Sequence, residues 1–149
     1  MKIVFGSDHV GVALKCAIMS HVKECGHEVY DVGAYSTERT DYPIYGSKAA
    51  TLVSDGSFQR GIVICGTGVG ISIAANKVFG IRCACVSEPY SAKLSRQHND
   101  SNMLALGSRV VGTDLAMMIV DEWLSAEYEG GRHASRIAQI GTIERAKHL

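Results

Sequence analysis

The residues able to do chemistry in this chain gather around one cysteine. Cys65 ends an apolar run, Ile62-Val63-Ile64, and is followed by a loop with glycine at 66, 68 and 70. The β-branched run predicts a buried strand, and the glycines predict a sharp turn into a helix. Such a loop presents backbone N–H groups with no side chain in the way, and a helix start adds positive partial charge. A thiol placed there is favoured as thiolate. One stretch therefore offers both a base and a cradle for developing negative charge. A packing role is the alternative, because glycine-rich strand-to-helix turns and buried free cysteines are ordinary in α/β proteins. The named loop motifs do not fit. A dinucleotide fingerprint requires glycine, and a cysteine phosphatase loop arginine, where Ile71 stands; the Gly-Lys-Ser/Thr of a P-loop is absent.

Other candidates lie elsewhere in the chain. Asp8-His9 follows the first apolar run, although Asp8 also suits an N-cap and His9 a solvated turn. His98-Asn99 falls at a helix end, and on its own His98 reads as a solvated cap before it reads as a proton carrier. Arg109 stands just past another strand. Arg132 and Arg136, four apart, share one face at the start of the last helix, where two guanidinium forks suit a phosphate; a solvated basic face is the alternative. No carboxylate–histidine cluster has metal-ligand spacing, so the expected chemistry runs without a metal or other cofactor. A thiolate, an oxyanion cradle, an imidazole and phosphate-binding arginines fit proton transfer beside a carbonyl on a phosphorylated sugar. Hydride transfer is a poorer match.

These residues must be held by a scaffold, and the hydrophobic pattern supplies one. Strands are predicted at 2–5, 28–32, 62–64, 82–86 and 103–106. Helices are predicted at 10–24, from Asp41-Tyr42-Pro43 to about Ser54, from the glycine loop through Asn76, from Ser87-Glu88-Pro89 to about Asp100, at 113–123 behind a Thr113 cap, and from Arg132 to about Lys147. Strands alternating with helices at short spacing imply a Rossmann-like, doubly wound, five-stranded parallel sheet with helices on both faces, in a single domain. In that architecture Asp8-His9, the Cys65–Gly70 loop and Arg109 all follow strands. They share the sheet edge at which ligands bind. The loop at 33–39 has no role that sequence assigns.

Composition narrows the function classes. The chain has 149 residues, enough for one domain with a real core, and a formal charge of +0 from 15 basic and 15 acidic residues. No electrostatic case exists for nucleic acid or a membrane surface. The amino terminus reads as neither signal peptide nor membrane span. Five cysteines, at 16, 25, 65, 83 and 85, make an odd set that points to free thiols and a cytoplasmic setting. Cys83-x-Cys85 lacks the spacing of a zinc or redox pair and is expected to pack in the core.

With these residues assembled, the chain resembles the ribose-5-phosphate isomerases of the B type, within the wider family that includes galactose-6-phosphate and allose-6-phosphate isomerases. The matching stretches are GSDHVG at 6–11, ERTDYP at 38–43, GIVICGTGVGISIAANK at 61–77, SRQHND at 95–100, LGSRVVG at 106–112 and YEGGRHASR at 128–136, in order and across nearly the whole chain. The resemblance implies an aldose–ketose isomerase domain over 1–149, its last helix completing a phosphate site. It makes Cys65 the base that moves a proton between the first two sugar carbons, and His98 the acid that helps open the furanose ring. Gly66, Thr67, Gly68, Val69 and Gly70 would hold the enediolate, with Thr67 also assisting catalysis. Asp8 and Asn99 would bind sugar hydroxyls, while His9, Arg109, Arg132 and Arg136 would surround the phosphate. One branch of the family places a glutamate in the glycine loop; Ile71 stands there in this chain, which puts it in the cysteine branch. The family also implies homodimers or dimers of dimers with shared active sites. A hexose phosphate isomerase and a non-catalytic sugar-phosphate-binding protein are the competing readings.

Overall fold

The computed structural model describes residues 1–146. The chain runs β1 (Lys2–Ser7), α1 (Val12–Glu24), β2 (Glu28–Asp31), α2 (Tyr42–Ser54), β3 (Arg60–Cys65), α3 (Val69–Ala75), β4 (Cys83–Cys85), α4 (Pro89–Asn99), β5 (Met103–Gly107), α5 (Thr113–Ser125) and α6 (Arg132–Ala146). The strands form one parallel sheet in the order β2-β1-β3-β5-β4. This is the doubly wound arrangement the pattern predicts, and β1 and β3 flank the point where the winding reverses direction. Lys147, the expected end of the last helix, lies outside the described residues.

Alternation along the strands divides the core into two layers. Ile3, Phe5, Ile62, Ile64, Leu104 and Leu106 point to the face covered by α1, α4 and α5, where Trp123 is fully buried. Their neighbours Val4, Val63, Cys65, Met103 and Ala105 point to the face covered by α2 and α3. Both faces of the three central strands are buried, which is why these strands read as continuous apolar runs in sequence. Cys65 belongs to the α2/α3 side and is 4% exposed.

Several boundaries move for local reasons. The α1 helix begins at Val12, because the Asp8 carboxylate accepts from the N–H groups of Val10 and Gly11 and shapes a turn ahead of the helix. Asp8 therefore caps the turn, and Gly11 occupies the N-cap position. Thr113 is the first residue of α5 and Gly112 precedes it, so the expected threonine cap is not made. Glu88 does cap α4, its carboxylate accepting from the Ser91 N–H at 2.9 Å. Of the cysteine pair, Cys83 packs against the second core layer, but Cys85 is exposed, contrary to the expected core role. Among the described residues no helix is long and apolar enough to cross a membrane.

Candidate active site

The carboxyl ends of β1, β3 and β5 meet in one place, tied together by Ser108. Its N–H donates to the Cys65 carbonyl at 2.8 Å, and its hydroxyl lies 3.2 Å from the carbonyls of both Cys65 and Val10. The N–H of Asp8 donates to the Ile64 carbonyl, and that of Arg109 to the Gly66 carbonyl at 3.0 Å. Three loops that the sequence places after separate strands are thus sewn to one another by backbone bonds. Cys65, Asp8, His9, the glycine loop and Arg109 share this edge, as expected.

The glycine loop passes over the sulfur. Gly68 adopts φ +79° and leads into α3, and its N–H donates to Cys65 Sγ at 3.2 Å. A side chain at 68 would also stand 2.9 Å from the Leu106 carbonyl carbon, so only glycine lets the loop settle onto the end of β5. At Gly70 the space a Cβ needs is taken by the ring of Tyr42, 2.6 Å away. Thr67 and Val69 are exposed on the outer side of the loop. Cys85 lies beneath it, its sulfur 3.9 Å from the Thr67 carbonyl oxygen. Although Cys85 is largely exposed, partial burial of its sulfur pushes the thiol up, a hydrogen bond from Ser72 offsets this in part, and the nearby Cys65 pushes it further.

The segment 38–43 braces the site in ways that residue types alone do not announce. Nδ1 of His9 is 3.2 Å from both the N–H nitrogen and the carbonyl oxygen of Thr40, which fixes the ring. The Thr40 hydroxyl meets that of Tyr45 at 3.0 Å. The start of the 33–39 loop is pinned too: Ser7 donates to the Gly33 carbonyl at 2.7 Å and Ala34 donates to the Ser7 carbonyl at 2.6 Å. Lys15, fully buried, donates to the Ala34 carbonyl at 2.6 Å and pairs with Asp31 at 2.7 Å. This segment, without a role in sequence, forms one wall beside Ser7-Asp8.

The remaining candidates lie on the opposite edge of the sheet. The α4 helix runs back against the strands and ends at His98-Asn99, beside Arg82 at the foot of β4. There the Arg82 guanidinium donates to the carbonyls of Asn99 and Asp100 at 3.0 and 2.8 Å and pairs with the Asp100 carboxylate. Asp100 adopts φ +47° and also receives the buried Arg96 guanidinium at 2.8 Å. Trp123 donates to the Ser101 hydroxyl, which meets that of Ser95 at 2.8 Å, so the end of α4 is anchored from beneath. Residues Gly61 to Cys65 separate this edge from the thiol, roughly 13 Å of strand at about 3.3 Å per residue.

Alongside it, α6 begins with Arg132 and Arg136, both exposed. His133, buried, stacks on His98 with ring centroids 4.1 Å apart, and Glu129 lies within 3.9 Å of both imidazoles. His133 and Glu129 were not among the sequence candidates. Their four-residue spacing was available as a signal, but their partnership with His98 is a tertiary fact. The structure thus gathers the candidates into two groups, one at each end of the strands.

An open parallel sheet whose winding reverses beside a thiol and a backbone anion cradle defines a Rossmann-like protein equipped for proton transfer on a small anionic ligand. Residues 3–140 match the family described as Ribose/Galactose Isomerase. Ribose-5-phosphate isomerase B of Escherichia coli strain K12 is 61% identical over 147 residues, covering 99% of both chains. Among solved structures, ribose-5-phosphate isomerase B of Clostridium thermocellum superposes with a TM-score of 0.98 at 57% identity, covering 99% of each chain. That of Mycoplasma genitalium, solved with bound ribulose-5-phosphate, gives 0.93 at 42% identity, covering 97% of this chain and 96% of the other. The chain belongs to the ribose/galactose isomerase family.

Proposed function

We propose that this protein interconverts ribose 5-phosphate and ribulose 5-phosphate through a cis-enediolate. The observation that carries the reading is the Cys65 sulfur, at the winding reversal, accepting from the Gly68 N–H of the glycine loop. The thiolate takes the hydrogen from C2 of the open-chain aldose, the C2 hydroxyl proton passes to O1 in the enediolate, and the thiol returns its proton to C1. Charge then develops on the carbonyl oxygen, where the amides of Gly66 to Gly70 and Thr67 stabilise it. Asp8 and Asn99 bind sugar hydroxyls, and His9, Arg109, Arg132 and Arg136 hold the phosphate. His98 delivers a proton to the ring oxygen as the furanose opens, while the anomeric hydroxyl gives up its own to solvent.

This assignment needs two copies of the chain. Cys65 and His98 lie at opposite ends of the strands, so a complete site combines the thiol edge of one subunit with the α4–α6 edge of another. A homodimer, or a pair of dimers, closes such contacts symmetrically. The domain spans 1–149, and a cytoplasmic setting suits its free thiols.

A coupled assay offering ribose 5-phosphate, allose 6-phosphate and galactose 6-phosphate to the purified protein tests the reading. The expected order places ribose 5-phosphate first in kcat/KM. A higher value for a six-carbon sugar transfers the protein to the hexose branch, and no turnover of any leaves it a binding protein.

A further inference from the structure

His133 is 6% exposed and packs face to face on His98, the planes 10° from parallel and the centroids 4.1 Å apart. Glu129 Oε2 stands 3.8 Å from His133 Nε2 and 3.9 Å from His98 Nε2. Two imidazoles and a carboxylate in such proximity are potential metal ligands. The ring geometry argues against that use. An imidazole donates its lone pair within its own plane, and two stacked, nearly parallel planes share no point at which one ion could satisfy both.

The arrangement suits a proton-carrying ring and a flat support. The groups facing His133 are His98 from α4, Glu129 from the preceding loop, and Arg132 and Arg136 from α6 itself. Burial, then the charges of His98, Arg132 and Arg136, hold its protonation below the ordinary histidine range, with Glu129 pulling the other way. His133 presents a flat aromatic face against the His98 ring. The support is itself anchored: the Glu129 N–H donates to the Gln97 carbonyl at 3.0 Å, beside His98, and the His133 N–H donates to the Gly130 carbonyl at 3.0 Å.

We propose that His133 is a positioning residue for ring opening, its imidazole serving as the platform that holds His98 at the angle needed to reach the furanose oxygen. The proposal rests on the reading of His98 as the ring-opening acid. It does not concern the thiol or the glycine loop, and this separates the two steps experimentally. Ribulose 5-phosphate is open-chain, because its only hydroxyl placed to close a five-membered ring on C2 carries the phosphate. Exchange of its C1 hydrogen with solvent therefore requires enediolate formation but no ring opening.

The experiment measures, in His133→Ala and His133→Phe, the ratio of turnover on ribose 5-phosphate to deuterium exchange at C1 of ribulose 5-phosphate. The ratio is expected to fall about tenfold or more in His133→Ala, since a misplaced catalytic group costs up to about a hundredfold. It is expected to return to within about threefold in His133→Phe, which keeps the aromatic face. An unchanged ratio in His133→Ala, or a phenylalanine variant as poor as the alanine one, overturns the proposal. His98→Ala is the reference: if it leaves the ratio intact, the acid assignment itself fails; if it lowers the ratio while His133→Ala does not, only the platform is lost.

Discussion

The backbone N–H of Gly68 points at the sulfur of Cys65 from 3.2 Å. In the proposed mechanism that contact joins the base to the loop that receives the charge it creates, so both should respond to a change in either. Cys65→Ala is expected to abolish proton transfer, reducing turnover by about a thousandfold, within the range of a lost general base. Exchange of the ribose C2 hydrogen with solvent, followed by NMR, should fall with it; undiminished exchange removes the thiol from the mechanism.

Gly68→Ala tests the loop. An alanine there must hold φ near +79° and crowd the end of β5. The amides then lose their aim, and kcat should drop on the order of a hundredfold, the usual cost of an oxyanion donor. If KM rises while kcat holds, the loop binds substrate without serving the transition state.

Arg136→Ala should raise KM by roughly tenfold or more for the phosphorylated sugar, the worth of one charge-assisted hydrogen bond, and leave activity on unphosphorylated ribose where it was. Equal effects on the two substrates would take the phosphate away from α6.

Asp100 holds a left-handed backbone and two guanidiniums, one of them buried. Replacing it by alanine leaves the Arg96 charge unpaired, and thermal or urea unfolding should report a loss of about 3 kcal/mol. Because the same residue ends α4, activity should fall too. A variant as stable as the parent would mean that Arg96 finds another partner.

Two histidines are expected to contribute to the pH dependence of stability near neutrality. Burial lowers His133, and burial with the neighbouring N-terminal ammonium lowers His27. As pH drops below about 6.5 the unfolded chain takes up these protons before the folded one, so stability present at pH 7 is lost toward pH 5. His133→Phe should flatten that slope in urea titrations; an equally steep slope assigns it elsewhere.

Most of the fold could be read from the chain because its signals are local. Buried strands such as Ile62 to Ile64 are unbroken apolar runs, and Gly33, Gly56 and Gly107 interrupt the pattern where elements end. Errors arise where a side chain outside the element decides the boundary. Arg82 was expected in β4 but turns aside to the carbonyls of Asn99 and Asp100, and Asp8 delays α1 by folding the turn before it. Within the site, Cys65 and the glycines announce themselves by type and spacing. Thr40, Tyr42, Ser108 and His133 do not, because each matters only through a residue distant in sequence.

The opposed placement of Cys65 and His98 carries a cost in dilute solution. If the site is shared as proposed, a solitary chain owns every reactive group and still completes no cavity, so specific activity should fade as protein concentration drops below the point of subunit separation. In the two-subunit site proposed above, each polypeptide lends half of its equipment away, and a defect in one gene copy would be felt in cavities shared with the products of another.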